Sequence, residues 1–351
     1  MELAIAGCGR IATVHLEAIK QLTQNNYDVS ITSLIDTSEK NASIFKDKHK
    51  ITCPIFTNID DALNKSKFDS IIVCIPHVFH EIISLKCFNA NKNVLLEKPM
   101  AHNLKSAHKI LSASLNTKKL FMIAESSHYW PEVLKVKDLL RNNKIGKIVT
   151  CKASFRQCSE NDIFDSYNLL PGDNIKKAWR FSKDFTGGGI TIDGGAHWIR
   201  PLREWFGNVK QTICKFSYPH PHMEGESLSQ AIFLFDNDIT AIFEGILTET
   251  TIFCNDTPFR ITGTLGEITI GPNGLGVFLY NKENPNGKRV LNDNGYISSF
   301  YYQFKDFFDS IKNNTCPQAS PLYSLGEMET ALAMEKSDNL KKWITIDYTN
   351  L

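Results

Sequence analysis

The chain has 351 residues, 42% of them apolar, and 39 basic side chains against 38 acidic ones. That length suits two domains with sizeable cores, and the balanced charge gives no electrostatic case for nucleic acid or for an anionic membrane surface. Nine cysteines without a C-x-x-C pair argue against a disulfide framework or zinc site, no apolar run reaches membrane-span length, and the opening "ELAIAG" lacks a basic leader, so a cytoplasmic protein is expected.

The first 124 residues alternate short apolar runs with amphipathic stretches. "LAIAG", "VSITSLID", "SIIVCI", "NVLLEK" and "LFMIA" read as buried strands; "RIATVHLEAIKQL", "SEKNASIFKDKH", "FHEIISLKCFNA" and "LKSAHKILSASLN" read as helices. Such alternation implies βαβ units and a parallel sheet. Between the first strand and helix stands "AGCGRIA", with Gly7, Gly9 and Ala12 in a G-x-G-x-x-A pattern around Arg10 and Ile11. Gly7 permits a tight turn, Gly9 lets backbone approach a pyrophosphate, and Ala12 lets the helix pack close to the sheet. An incidental turn is the competing reading, but the strand-before, helix-after context is the one the fingerprint requires. Asp36 ends the second strand. An acid there accepts bonds from ribose hydroxyls and repels a 2′-phosphate, favouring NAD over NADP, although it could equally cap the next helix. "IPHVFH" then places Pro76 and His77 at a strand end; His77 and His80 lack the further ligands a metal would need. In "NVLLEKPMA", Lys98 follows Glu97 at the carboxyl end of an apolar strand, on the ligand-binding edge of a doubly wound sheet. Its ammonium could stabilise a forming alkoxide, or simply be solvated at a strand end.

From about residue 125 the pattern changes. After the helical "PEVLKVKDLLRNN" come strand-like runs, "KIVTCKASFRQ", "QTICKFSY", "SLSQAIFLFD", "ITAIFEGILTE", "FRITGTLGEITIG" and "GVFLYN", which suggest a large, mostly antiparallel sheet. Residues 158–178 read as a long polar loop and "YPHPH" as a proline-fixed connection between strands. In "GGGITIDGGAHWIRPL" a helix starting near Asp193 would put Asp193 and His197 on one face. Asp193 could bond the imidazole or a substrate hydroxyl, and an imidazole of ordinary pKa, about 6.5, suits accepting a hydroxyl proton. The plainer alternative is a capping aspartate and a packed core histidine. The closing stretches "ISSFYYQFKDFFDSIKNN" and "SLGEMETALAMEKSDNLKK" read as helices, the aromatic stripe of the first serving core or interface.

The series "AIAGCGRIATVHLEAI", "CIPHVFH", "NVLLEKPMA" and "AWRF…GGGITIDGGAH" resembles the Gfo/Idh/MocA oxidoreductases, the group of glucose–fructose oxidoreductase and inositol dehydrogenase, over nearly the whole chain. The resemblance implies an α/β fold: a doubly wound Rossmann domain over residues 1–124, joined to an α+β domain over 125–351 whose open-faced, mostly antiparallel sheet forms homodimers or homotetramers. It implies NAD as cofactor, with NADP the alternative, and hydride transfer to or from a secondary alcohol or ketone of a small sugar, polyol or related cyclic substrate. Lys98 would lie by the nicotinamide and the reacting hydroxyl, Glu97 near the nicotinamide ribose, Pro76 and His77 along the cofactor, and Asp193 and His197 would share proton handling with Lys98. Glu125, His128 and Tyr129 fall where the family places substrate contacts, and Trp179 and Arg180 would line or close the site. Where the family often has an acid three residues after the histidine, this chain has Arg200, open to pairing with Glu204 or to binding an anionic substrate group. Relatives also leave two other classes open, a redox-assisted glycosidase that retains NAD and a non-enzymatic NAD-binding sensor.

Overall fold

Two sheets carry the chain, one parallel and one mixed, in a computed structural model that describes residues 1–158, 178–249, 257–271, 276–292 and 295–348. The polar loop expected at 158–178 lies, apart from its two end residues, outside the described residues.

Among the described residues the first sheet has six strands: β1 (Glu2–Ala6), β2 (Ser30–Ile35), β3 (Ile55–Phe56), β4 (Ser70–Val73), β5 (Asn93–Glu97) and β6 (Phe121–Ala124). Their order is β3-β2-β1-β4-β5-β6, with every pair parallel. The winding reverses between β1 and β4, so a crevice opens at the carboxyl ends of those strands. Helices cover both faces, which is why Leu3, Ile5, Ile71, Ile72, Leu95 and Leu96 are all fully buried and the strands read as unbroken apolar runs. The Arg10–Gln24 helix buries Ala12, His15, Leu16, Ile19 and Leu22, a stripe at helical spacing.

The second sheet comprises β7 (Ile148–Cys158), β8 (Gln211–Ser217), β9 (Leu228–Leu234), β10 (Thr240–Thr248), β11 (Phe259–Gly263), β12 (Gly266–Ile270), β13 (Val277–Asn281), β14 (Asn284–Leu291) and β15 (Ile344–Thr345), in the order β14-β13-β12-β11-β7-β10-β9-β8-β15. Among the described residues only β7 and β10 run parallel in this sheet. Its strands alternate as half-buried strands do: Ala231, Phe233, Ala241, Phe243 and Leu247 point to the core, while Gln230, Ile232 and Ile242 point away. The Ala196–Phe206 and Pro321–Leu340 helices pack on the inner face.

The Gly295–Asn313 helix returns to the first sheet. Its stripe of Phe300, Phe304, Phe307 and Phe308 packs on the Arg10–Gln24 helix, with Phe300 and Phe304 edge-on to His15. The aromatic stripe therefore builds core, as its periodicity implied.

The glycine-rich run departs from expectation. One turn of helix, Ile190–Asp193, ends at Gly194–Gly195, and a new helix starts at Ala196. A Cβ at Gly195 would collide with the Thr191 carbonyl, and one at Gly189 with the Glu226 backbone. Gly194 and Gly195 keep right-handed helical backbone angles, but both of their N–H groups go to the Ile190 carbonyl, so the helical register slips here, and Asp193 caps neither helix. Instead Glu226 anchors the short turn, accepting from the Gly189 and Thr191 N–H groups, both at 2.9 Å. No helix among the described residues is long and apolar enough to cross a membrane.

Candidate active site

A cleft of about 1580 Å³ lies along the carboxyl edge of the parallel sheet and is walled on its far side by the second half of the chain. Drug-sized pockets hold roughly 300–1,000 Å³, so this one has room for a dinucleotide and a small substrate together. Gly7, Gly9, Arg10, Ile11, Asp36, Pro76, His77, Glu97 and Lys98 line one side; Trp130, Trp179, Arg180, Asp193, His197 and Tyr296 line the other.

The nucleotide half follows from the glycine loop. Gly7 has φ +90°, and a Cβ there would strike the Cys74 carbonyl at the end of β4, so only glycine lets β1 turn at that point. Gly9 is the opposite case, since a Cβ would meet nothing within 4 Å. Gly9 is also the N-cap of the Arg10–Gln24 helix; no side chain caps that end, and its first turn holds no acid. The helix N–H groups thus open onto empty space suited to a pyrophosphate. Burial pushes the Cys8 thiol up to about 12, aided by Asp36 and Cys53, so no thiolate competes for that field. Asp36 accepts from Cys8 N and Ser38 N, both at 2.9 Å, which fixes its carboxylate at the cleft wall. Ala12 lies beneath, fully buried against the sheet. These residues fit a dinucleotide. Replacing Asp36 with alanine is expected to weaken NADH binding by about tenfold and to narrow or invert any preference over NADPH, because a ribose hydroxyl loses a charged acceptor and a 2′-phosphate loses a repelling one. Fluorescence titration with both nucleotides measures this.

At the other end, Lys98 emerges just after β5, and its Nζ donates to the Asp193 carbonyl at 2.6 Å and to Oδ1 at 3.2 Å. Arg180 Nε donates to Asp193 Oδ2 at 3.0 Å, with its guanidinium 4.5 Å above the Trp179 ring. Burial alone would push the Asp193 carboxyl up; Lys98 and Arg180 outweigh it and hold the group well below the usual carboxylate range. Burial drives His77 well below the usual imidazole range, so its ring is neutral, and Nδ1 donates to the Thr186 carbonyl at 3.2 Å. Glu97 accepts from the fully buried His15 Nε2 at 2.6 Å and from the Lys98 N–H at 3.2 Å. His197 lines the same cleft, its Nδ1 2.6 Å from Glu125 Oε1.

Several expectations need correction. The carboxylate on His197 is Glu125, not Asp193, because the break at Gly194–Gly195 turns Asp193 toward Lys98 and Arg180. Glu125 therefore stands behind the histidine rather than in the cleft wall. His128 pairs with Glu204 at 3.0 Å, and Tyr129 donates to Asp306 at 2.6 Å with its ring in the core. Arg200 is fully buried against Glu327 and Ser324, so it neither binds a ligand nor meets Glu204, which is taken by His128 and Lys137. His128, Tyr129 and Arg200 leave the cleft for one reason: each has a partner from a segment remote in sequence. Conversely, Tyr296 and Trp130 line the cleft without having been singled out. Nothing near Tyr296 signals a ligand, since it simply begins the returning aromatic helix. Among the described residues no group of three or more histidines, cysteines and acids could hold a metal ion.

A doubly wound sheet with an uncapped glycine cradle, opposite a lysine–carboxylate–histidine cluster, defines a nicotinamide-dependent oxidoreductase. Comparison with known proteins agrees. Residues 1–125 match the model of an oxidoreductase family with an NAD-binding Rossmann fold, and residues 133–269 match the Gfo/Idh/MocA C-terminal domain. The chain belongs to the Gfo/Idh/MocA family and is an NAD(P)-dependent dehydrogenase. It is 26% identical over 287 residues to Oxidoreductase P35 of Formosa agariphila, covering 80% of this chain and 85% of that protein. It is likewise 26% identical over 271 residues to a scyllo-inositol 2-dehydrogenase (NADP(+)) of Bacillus subtilis, covering 77% and 76%. In fold it is similar to a levoglucosan dehydrogenase solved with NADH, with a TM-score of 0.85 at 16% identity over 99% of both chains.

Proposed function

We propose that the protein oxidises a secondary hydroxyl of a sugar, polyol or related cyclic compound, and in reverse reduces the ketone. In this reading residues 1–124 hold the dinucleotide, while residues 125–351 supply the substrate wall and the contacts between subunits. The observation that carries the proposal is the convergence of Lys98, Asp193 and His197, from distant parts of the sequence, on one cleft beside the glycine cradle. The polyol named for the Bacillus subtilis relative supports the substrate class.

A nicotinamide held by the glycine cradle would supply the hydride acceptor for the alcohol carbon, or in reverse the hydride donor for the ketone. The chain's own residues handle the rest. His197 takes the hydroxyl proton at Nε2, its Nδ1 being occupied by Glu125. Lys98 donates to the same oxygen as negative charge grows on it. Asp193, ionised between Lys98 and Arg180, fixes the ammonium in place. Trp130 and Trp179 give the cleft aromatic faces against which the C–H edges of a sugar can pack.

A subunit partner is drawn from the outer face of the second sheet. Ile213, Ile232 and Ile242 lie in register across β8, β9 and β10, and Ile232 and Ile242 are 42% and 56% exposed. Such a row favours a second copy of the chain. The test is a panel of polyols and keto-sugars with NAD and NADP, following reduced nucleotide, on a preparation whose mass is read by light scattering. Turnover of a panel member by a dimer or tetramer is expected. Intact NADH binding with no turnover would overturn the dehydrogenase reading in favour of a sensor. Glycoside release without accumulation of reduced nucleotide would replace it with redox-assisted cleavage.

A further inference from the structure

We propose that Glu125 is a positioning residue for His197: it holds the Nδ1 proton and thereby leaves the Nε2 lone pair facing the cleft, a task that Asp193 does not share. This rests on the reading of His197 as the proton acceptor.

Glu125 is 1% exposed, and its Oε1 receives three contacts: Ser127 N–H at 3.0 Å, Ser127 Oγ at 2.7 Å and His197 Nδ1 at 2.6 Å. Burial alone would push this carboxyl up, but His197, Arg200 and Lys98 reverse that and hold it well below the usual range. An ionised carboxylate only accepts, so Nδ1 must carry the hydrogen. In the neutral ring Nε2 then has no proton and can accept one. A histidine free in water favours the other tautomer, which would present an N–H to the cleft and could not take a hydroxyl proton.

The hydrogen bonds around Glu125 are separate from those of the lysine cluster, although the Lys98 charge acts on both carboxylates. Arg200, on the histidine's own helix, is fully buried; its Nη2 reaches Ser324 and Glu327, while Nε and Nη1 have no hydrogen-bond partner among the described residues. Its charge therefore acts on both Glu327 and Glu125. From the other elements packed here, Lys98 follows β5, Glu327 belongs to the Pro321–Leu340 helix, and Asp193 ends the preceding short turn. Asp193 is committed to two cations, Lys98 and Arg180, with His77 Nε2 3.9 Å away. The site thus has two hydrogen-bonded sets, Lys98–Asp193–Arg180 and His197–Glu125, the second with the Arg200 charge behind it, each serving a different function.

The test uses ¹⁵N-histidine NMR of the full chain at a pH where the ring is neutral, the His197 signals being assigned by their loss in His197→Gln. Nδ1 is expected to be protonated and Nε2 bare. The tautomer should reverse in Glu125→Ala, persist in Glu125→Gln, whose carbonyl oxygen still accepts, and be unaffected by Asp193→Asn. With any alcohol the enzyme turns over, Glu125→Ala should lose on the order of 10²-fold in kcat with KM little changed, and Glu125→Gln should recover part of it. A native His197 carrying its proton on Nε2, or a tautomer that follows Asp193→Asn rather than the Glu125 variants, overturns the inference. Full activity in His197→Ala would instead remove the proton-acceptor reading beneath it, whatever the tautomer.

Discussion

Replacing Lys98 with methionine is expected to lower turnover by at least about 10³-fold while NADH still binds. The loss corresponds to roughly 4 kcal/mol of transition-state stabilisation, the size found when a preorganised donor to a developing oxyanion is removed. Two contacts of the ammonium go to Asp193, so it is fixed before any ligand arrives and has donor capacity left for the reacting oxygen. Methionine keeps most of the stem's length and packing, and Asp193 retains Arg180, so the buried carboxylate is not left bare. Steady-state rates in both directions, paired with NADH titration, check the expectation. Activity within tenfold of the native chain would show that Lys98 holds structure rather than charge.

What the sequence revealed and what it concealed divide along a physical line. The glycine cradle, Asp36, Glu97 and Lys98 are short-range features: strand, turn and helix succeed one another within a few residues, and the sheet edge on which they land is set by the βαβ pattern. The second sheet was legible as alternating strands, but the parallel pairing of β7 with β10 was not, because it joins segments some 90 residues apart. The region around Asp193 misled for a different reason. Four-residue spacing says "one helical face" only if the helix is continuous, and here the N–H groups of Gly194 and Gly195 both go to the Ile190 carbonyl, a slip in register that the spacing does not announce. Arg200 was misread because its partner, Glu327, lies 127 residues further on. No local pattern distinguishes an arginine destined for a buried carboxylate from one aimed at a substrate.

That buried arginine leads to the largest stability effect expected in the molecule. Arg200 and Arg203 both converge on Glu327, and the Tyr323 ring lies within 4.6 and 4.1 Å of their guanidinium carbons. Arg200 is wholly inaccessible, and Arg203 and Glu327 are nearly so. Deleting one partner of a buried ionic cluster costs about 3–5 kcal/mol, since the remaining charges stay desolvated without compensation. Glu327→Ala should therefore lower the melting temperature of this half by roughly 10 °C, taking about 2–4 °C per kcal/mol for a unit the size of residues 125–351. A double variant, Glu327→Ala with Arg200→Met, should recover part of the loss by removing one of the stranded cations. Arg203 also donates to the Tyr323 carbonyl and Asn208, so some structure around it survives. Because this cluster ties the helix bearing His197 to the Pro321–Leu340 helix, the weakened variant should lose turnover at temperatures where NADH binding to the parallel-sheet half still persists. Calorimetry with a parallel NADH titration separates the two. If Glu327→Ala melts within 2 °C of the native chain, Arg200 and Arg203 are compensated by other groups, and the cluster is not what fixes the histidine helix.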